Sequence, residues 1–200
     1  MEDKHPQDSD AVRSALTETP LRSKNVFDGV LLKVYVDDVR LPDGSTSTRD
    51  WIRHPGASAV VPVFEDGSVM LLKQFRYPPR DIFIEVPAGK LDPGESPEIT
   101  AERELTEESG LTCSNLVKTG EFYPAIGYAD EVIHIYVAWG LERQEQQVDD
   151  DEFVLNYRVP FSEALRMVEE GEITDGKTIC CLIKTWLWWK RNGPFEISFD

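Results

Sequence analysis

The sequence predicts an α/β fold of the α+β kind: an antiparallel-rich mixed sheet flanked by helices, preceded by a β-hairpin unit. Three observations predict it. Short β-prone runs recur along the chain and are separated by Gly, Pro and Asp turns. One central helix carries start and stop signals at both ends, Ser96-Pro97 and Gly110. A chain of 200 residues with 40% hydrophobic and 10% aromatic content can bury one ordinary core and carry a small appendage.

Residues 1–22 lack hydrophobic periodicity and are expected to be mobile. Residues 23–56 form the hairpin unit: the runs Gly29–Arg40 and Thr46–Arg53 turn around Pro42-Asp43-Gly44. A lone hairpin is marginally stable in water, so it is expected to pack on the main domain or on another chain. The boundary falls near Pro55-Gly56, and residues 57–200 are the main domain. There Ala57–Phe64 and Ser68–Phe75 read as a second hairpin around Glu65-Asp66-Gly67, and Ile82–Val86 as another strand. The central helix follows Ser96 as N-cap and Pro97 at the first helical position, and Gly110 ends it. Leu116–Tyr123, Val132–Trp139 and Phe153–Val159 are the remaining strands, and Phe161–Glu170 and Lys177–Arg191 the remaining helices. Leu182, Ile183, Trp186, Leu187 and Trp189 give the last helix an apolar face for the core.

Composition narrows the function classes. Lys+Arg of 21 against Asp+Glu of 37 gives a formal charge of −16. Such a chain lacks the basic surface of a nucleic-acid binder, so no nucleic-acid partner is expected. An anionic substrate must be drawn in by local Arg and Lys and by bound metal against the global field. The three cysteines, Cys113, Cys180 and Cys181, form neither a C-x-x-C nor a zinc spacing, and an odd count argues against a disulfide framework. The polar, acidic start is unlike a signal peptide, and no apolar run reaches the ~18 residues of a membrane span. The expectation is a cytoplasmic protein without a membrane partner.

The most specific signal is Gly89-Lys-Leu-Asp-Pro-Gly-Glu95-Ser-Pro-Glu-Ile-Thr-Ala-Glu-Arg103-Glu104-Leu105-Thr-Glu107-Glu108-Ser-Gly110-Leu111. Glu104, Glu107 and Glu108 stand at i, i+3 and i+4, on one face of the helix. Like charges so close destabilise a helix by a few tenths of a kcal/mol per pair. A hard divalent cation, which takes oxygen ligands, turns that liability into a site. The spacing resembles the Nudix box, G-x5-E-x7-R-E-U-x-E-E-x-G-U with U aliphatic, and all nine specified positions are filled. From average residue usage the chance match is on the order of 10⁻⁹ per starting position.

The resemblance implies an α/β/α sandwich around a mixed sheet, and hydrolysis of a nucleoside diphosphate linked to another moiety. It implies Mg²⁺, with Mn²⁺ as the alternative, held by Glu104 and Glu108, by Glu107 sharing the ion or bridging through water, and by the carbonyl of Ala88. Arg103 is expected to orient the carboxylates and Glu95 to anchor the loop to the helix. The general base of related ADP-ribose pyrophosphatases lies in an acidic loop well downstream. Here Asp149, Asp150, Asp151 and Glu152 occupy that place, with Glu152 the first candidate for base or further metal ligand and Asp150 the second.

Three features resemble ADP-ribose and nucleoside-diphosphate-sugar pyrophosphatases in particular: the N-terminal hairpin, which implies a homodimer; Lys73-Gln-Phe-Arg76-Tyr-Pro-Pro with Glu85-Val-Pro-Ala-Gly89; and Glu121–Glu131 after the box. Arg76 and Arg49 match positions that grip the diphosphate or terminal sugar, and a guanidinium fork suits phosphate. Those enzymes commonly place Pro directly before the glycine matching Gly127, where this chain has Ile126. The departure leaves other sugar nucleotides, such as GDP-mannose or ADP-glucose, beside ADP-ribose. A non-catalytic ligand sensor of the same fold is the reading from a different class, and the intact carboxylates argue against it.

Overall fold

A computed structural model describes residues 10–144 and 153–197. They fall into two units, one built from the described residues up to His54 with Ala125–Asp130, the other from Pro55–Pro124 and the described residues from Glu131 onward.

The first unit opens with α1, Asp10–Leu16, which buries no residue. Strands β1 (Thr19–Asp28), β2 (Lys33–Arg40) and β3 (Thr46–Arg53) form an antiparallel sheet in that order. The β2–β3 turn closes where expected: Leu41 N donates to Ser45 O at 2.8 Å, and Gly44 takes φ of 87°. Such a φ strains any residue with a Cβ. Tyr35 and Trp51 face each other across the ladder, stacked at 5.1 Å, with Arg53 4.3 Å above the Tyr35 ring. The segment Ala125–Asp130 adds to β3, where Ile52 N donates to Tyr128 O and Asp130 N to Ile52 O.

Two expectations change here. Residues 10–22 form a helix and the start of a strand, and the hairpin is a three-stranded sheet; residues 1–9 lie outside the described set. All ten residues of β1 are exposed, so no in-out alternation marks the strand; backbone pairing to β2 makes it.

The second unit runs β4 (Ala57–Pro62), β5 (Ser68–Arg76), β6 (Asp81–Glu85), β7 (Ala88–Lys90), α2 (Pro97–Ser109), β8 (Leu111–Phe122), β9 (Ile133–Arg143), β10 (Val154–Pro160), α3 (Phe161–Glu169) and α4 (Gly176–Asn192). One sheet has the order β7-β4-β9-β8 and the other β10-β5-β6. Only the β4–β9 pairing is parallel among these ladders, so the architecture is mixed. Every residue of β4 is buried, as its unbroken run Ala-Ser-Ala-Val-Val-Pro requires. Alternate residues serve two cores. Ala59, Val61, Ile135 and Val137 pack with Phe161, Leu182 and Trp189 of α3 and α4. Val60, Tyr136 and Ala138 pack with Ala101 and Leu105 of α2. The four-stranded sheet therefore lies between helical layers, the α/β/α arrangement the box implied.

The hairpin read for Ala57–Phe64 and Ser68–Phe75 is corrected. Its turn exists, with Gly67 N donating to Phe64 O, but β4 and β5 are joined by the single bridge Val63–Val69 and then enter different sheets. The three-residue β7 was not foreseen, and β8 starts at Leu111, directly after the helix. Among the described residues no helix is long and apolar enough to cross a membrane.

Candidate active site

Local chemistry sets the frame of the box. Ser96 is extended at φ −82°, ψ 153° and its side chain accepts from Ile99 N, Pro97 occupies the first turn, and Gly110 closes the helix in the left-handed region at φ 63°. Thr100, Ala101 and Leu105 are fully buried against the sheet. That contact sets the rotation of α2, and the next stripe carries Glu104 and Glu108, only 7% and 3% exposed.

One guanidinium organises the acidic groups. Arg103 donates from Nε and Nη2 to the two oxygens of Glu95 at 3.1 and 3.0 Å, from Nη2 to Lys90 O at 3.1 Å, and from Nη1 to Glu104 Oε1 at 2.7 Å and Glu107 Oε2 at 2.8 Å. Glu95 also accepts from Thr100 Oγ1 at 2.7 Å, which ties the loop before the helix to its first turn. The Arg103 hydrogen bonds hold the Glu95 carboxyl down at about 2 against the opposing effect of burial, with Thr100 assisting. Glu95 returns the effect and raises Arg103, so the centre of the network stays charged.

Strand β7 approaches from the other side. Ala88 N donates to Glu108 Oε2 at 2.7 Å. A Cβ on Gly89 would lie 1.8 Å from Glu104 Oε1, so the carboxylate occupies the space a side chain would fill. At the far end of the helix, Asn156 Nδ2 of β10 donates to Glu108 O at 2.7 Å. Glu104 and Glu108 thus lie beside Gly89 and Ala88, and Glu107 joins Glu104 through Arg103.

The donor chemistry of this cluster, carboxylates on one helix face with two nearly buried, suits a hard divalent cation. Each hydrogen bond from Arg103 or Ala88 to these three engages one oxygen of its carboxylate. In this arrangement no group of three or more His, Cys, Asp or Glu among the described residues is already set as a metal cage. Arg103, holding Glu104 and Glu107 together, is the group that a cation would displace or share with.

Arg76, at the end of β5, forks onto Glu85 at 2.6 Å from both Nε and Nη2. Glu85 is 3% exposed and also lies 3.0 Å from Lys177 Nζ at the start of α4. Burial pushes the Glu85 carboxyl up, but Arg76 and Lys177 outweigh it and hold it below the ordinary carboxylate value. The spacing of the box reveals nothing of Lys177 or Asp175. Asp175 is the N-cap of the last helix and accepts from Lys177 N and Thr178 N.

Arg49 belongs to the first unit, where it donates to Glu18, Ser47 Oγ and Thr48 O. Asp149, Asp150, Asp151 and Glu152 lie outside the described residues. Two open grooves beside Phe64 and Arg158 are not lined by any of the box carboxylates.

Comparison with known proteins bears on this geometry. Residues 53–180 match the NUDIX domain, and residues 18–52 match the nucleoside diphosphate sugar hydrolase N-terminal domain. The chain is 42% identical to a Bacillus subtilis (strain 168) protein named ADP-ribose pyrophosphatase, over 82% of this chain and 90% of that one. It is also 42% identical to the methanol dehydrogenase activator of Bacillus methanolicus, over 81% and 89%. A GDP-mannose pyrophosphatase of Yersinia enterocolitica (serotype O:8 / biotype 1B, strain NCTC 13174 / 8081) is 34% identical, over 81% and 89%. The crystal structure of an ADP compounds hydrolase superposes with a TM-score of 0.79 over 90% of this chain and 98% of that one, at 24% identity, and shows the shared fold. With the NUDIX domain spanning most of the chain and its box folded around Arg103, this protein belongs to the Nudix hydrolase family.

Proposed function

We propose that this enzyme hydrolyses the pyrophosphate bond of a nucleoside diphosphate sugar, ADP-ribose first, to AMP and ribose 5-phosphate. The observation that carries the reading is the convergence of Glu104, Glu107 and Glu108 around Arg103 and the β7 backbone. In the reaction, the oxygen of water forms a bond to one phosphorus while the bond from that phosphorus to the bridging oxygen breaks. The bridging oxygen leaves with the second phosphate, and the water's proton goes to a base.

Glu104, Glu107 and Glu108, with the carbonyl of Ala88, would hold a divalent cation, Mg²⁺ or alternatively Mn²⁺. When bound, such a cation neutralises charge on the phosphoryl oxygens. Arg103 keeps Glu104 and Glu107 gathered against their mutual repulsion, and Ala88 N holds Glu108. Arg76 and Arg49 bind the diphosphate or the terminal sugar, and Arg76 is half-exposed with its fork already oriented by Glu85. Glu152, with Asp150 second, takes the proton; both assignments rest on the sequence. The N-terminal unit supports a homodimer, and the cytoplasm is the compartment that the composition favours.

The second reading keeps the chemistry and changes the sugar. It is favoured by Ile126 before Gly127 and by the similarity to a GDP-mannose pyrophosphatase. A panel of ADP-ribose, GDP-mannose, ADP-glucose and a nucleoside triphosphate, assayed with Mg²⁺ and with Mn²⁺, separates them. AMP from ADP-ribose at the highest kcat/KM is expected. Preference for another sugar nucleotide moves the specificity, and no turnover of any compound rejects the enzymatic reading in favour of a sensor.

A further inference from the structure

Lys177 sits where elementary electrostatics disfavours it twice. Its ammonium is enclosed, and removing a charge from water is costly before pairing. It also lies in the first turn of α4, at the helix end that repels cations. What compensates is a carboxylate on each side: Glu85 Oε2 at 3.0 Å and Asp175 Oδ2 at 3.1 Å. Both contacts are ion pairs.

The oxygen that Lys177 faces is already committed elsewhere. Glu85 Oε2 accepts from Arg76 Nη2 at 2.6 Å, so one oxygen bridges two cations. A second thread runs alongside. Val86 N donates to Thr178 Oγ1 at 3.0 Å, and Thr178 Oγ1 donates to Asp175 Oδ2 at 2.7 Å. The start of α4 is therefore fastened to the end of β6 at Glu85 and Val86, three residues before Gly89. Arg76 spends Nε and Nη2 on Glu85, and Nη1 makes no hydrogen bond to a described residue.

We propose that Lys177 supports Arg76 electrostatically: by offsetting Asp175 beside the shared Glu85 carboxylate it keeps the guanidinium's charge available to a phosphate. The inference rests on the reading of Arg76 as a diphosphate-binding residue. The charges of Arg76, Lys177, Glu85 and Asp175 sum to zero. Without Lys177 the sum is −1 and Glu85 neutralises Arg76 alone, which opposes an anionic substrate. The coupling reaches Arg76: Glu85 raises it most, and Asp175 and Glu108 add to the same direction. Burial lowers Lys177, but Asp175 and Glu85 outweigh it and keep it charged.

The test uses the full chain and whichever sugar nucleotide the wild type turns over fastest. Lys177→Met is expected to raise KM about tenfold while kcat changes by less than about threefold, because the loss falls on substrate binding. Asp175→Asn keeps a good N-cap and removes one negative charge, so its KM falls below wild type. The double variant Asp175→Asn/Lys177→Met restores the zero sum and returns KM to about the wild-type value. A folded Lys177→Met with unchanged KM, or a double variant no better than the single one, overturns the inference. Should Lys177→Met alone not fold, the double variant compared with Asp175→Asn decides: a KM several-fold above Asp175→Asn supports it, and equal values overturn it. A wild type that turns over none of the sugar nucleotides removes the functional reading itself, a result distinct from normal turnover with an unmoved KM.

Discussion

Gly89 shows how a single position serves the site by having no side chain. Its φ lies outside the left-handed region, so the demand is steric: the Glu104 carboxylate sits where a Cβ would be. Gly89→Ala must push either β7 or Glu104 away, and displacement on the order of 1 Å at a catalytic constellation costs roughly 10²-fold. We expect kcat/KM to fall by about that factor while the melting temperature moves little; near-normal activity would show that Glu104 can relocate freely. Glu95 gives a second prediction at this scale. Its carboxyl is depressed from 4.5 to about 2 by Arg103, so the stabilisation is fully present above 4.5 and lost as pH falls through 2. Glu95→Gln should cost about 1–2 kcal/mol at pH 7 and flatten the acid arm of a denaturation series. If wild type and variant lose stability in parallel below pH 4.5, the linkage is not at Glu95. The box residues were legible because helical spacing fixes their common face. Lys177 and Glu85 were not, because their meeting depends on α4 packing against β6 across 92 residues of chain, the separation of the neighbouring Val86–Thr178 bond.

Helix α2 was the most legible element, since its caps are local chemistry. Ser96 accepts from Ile99 N at 3.4 Å, a long bond, and Ser96→Ala should cost about 0.5–1 kcal/mol. Gly110 at φ 63° should cost about 1 kcal/mol or more on substitution by Ala. Urea denaturation of both variants checks the pair. Equal stability for Gly110→Ala would mean that the helix end relaxes out of the left-handed region. The sheets were harder to read. The turn Glu65-Asp66-Gly67 announced a hairpin, yet turn chemistry says only that the chain reverses. Partner choice was decided by burial: β4 is buried along its whole length and belongs between helical layers, while β5 mixes buried and exposed positions and pairs with β6 and β10. Strand β7 has three residues and no hydrophobic pattern, so only its tertiary place between Glu108 and β4 defines it.

At the scale of the whole molecule, the fold class was legible, but the three-stranded form of the N-terminal sheet was not. Its edge strand β1 is exposed along its entire length and carries Leu21, Val26 and Phe27 at the surface. The two register shifts of β1 fall at Leu21 and Val26, so both extra residues are apolar. Bulges at an edge disrupt open-ended strand pairing, while exposed apolar side chains favour a specific partner. A second copy of this chain satisfies both conditions, and sedimentation velocity should then show a species of twice 22.7 kDa. Leu21→Glu with Val26→Glu would place two charges on that surface at positions that contribute little to the core of one chain. The double variant should sediment as a monomer with its melting transition retained. A wild type that is itself monomeric at high concentration would remove the pairing argument, and a charged variant that stays dimeric would move the interface away from β1.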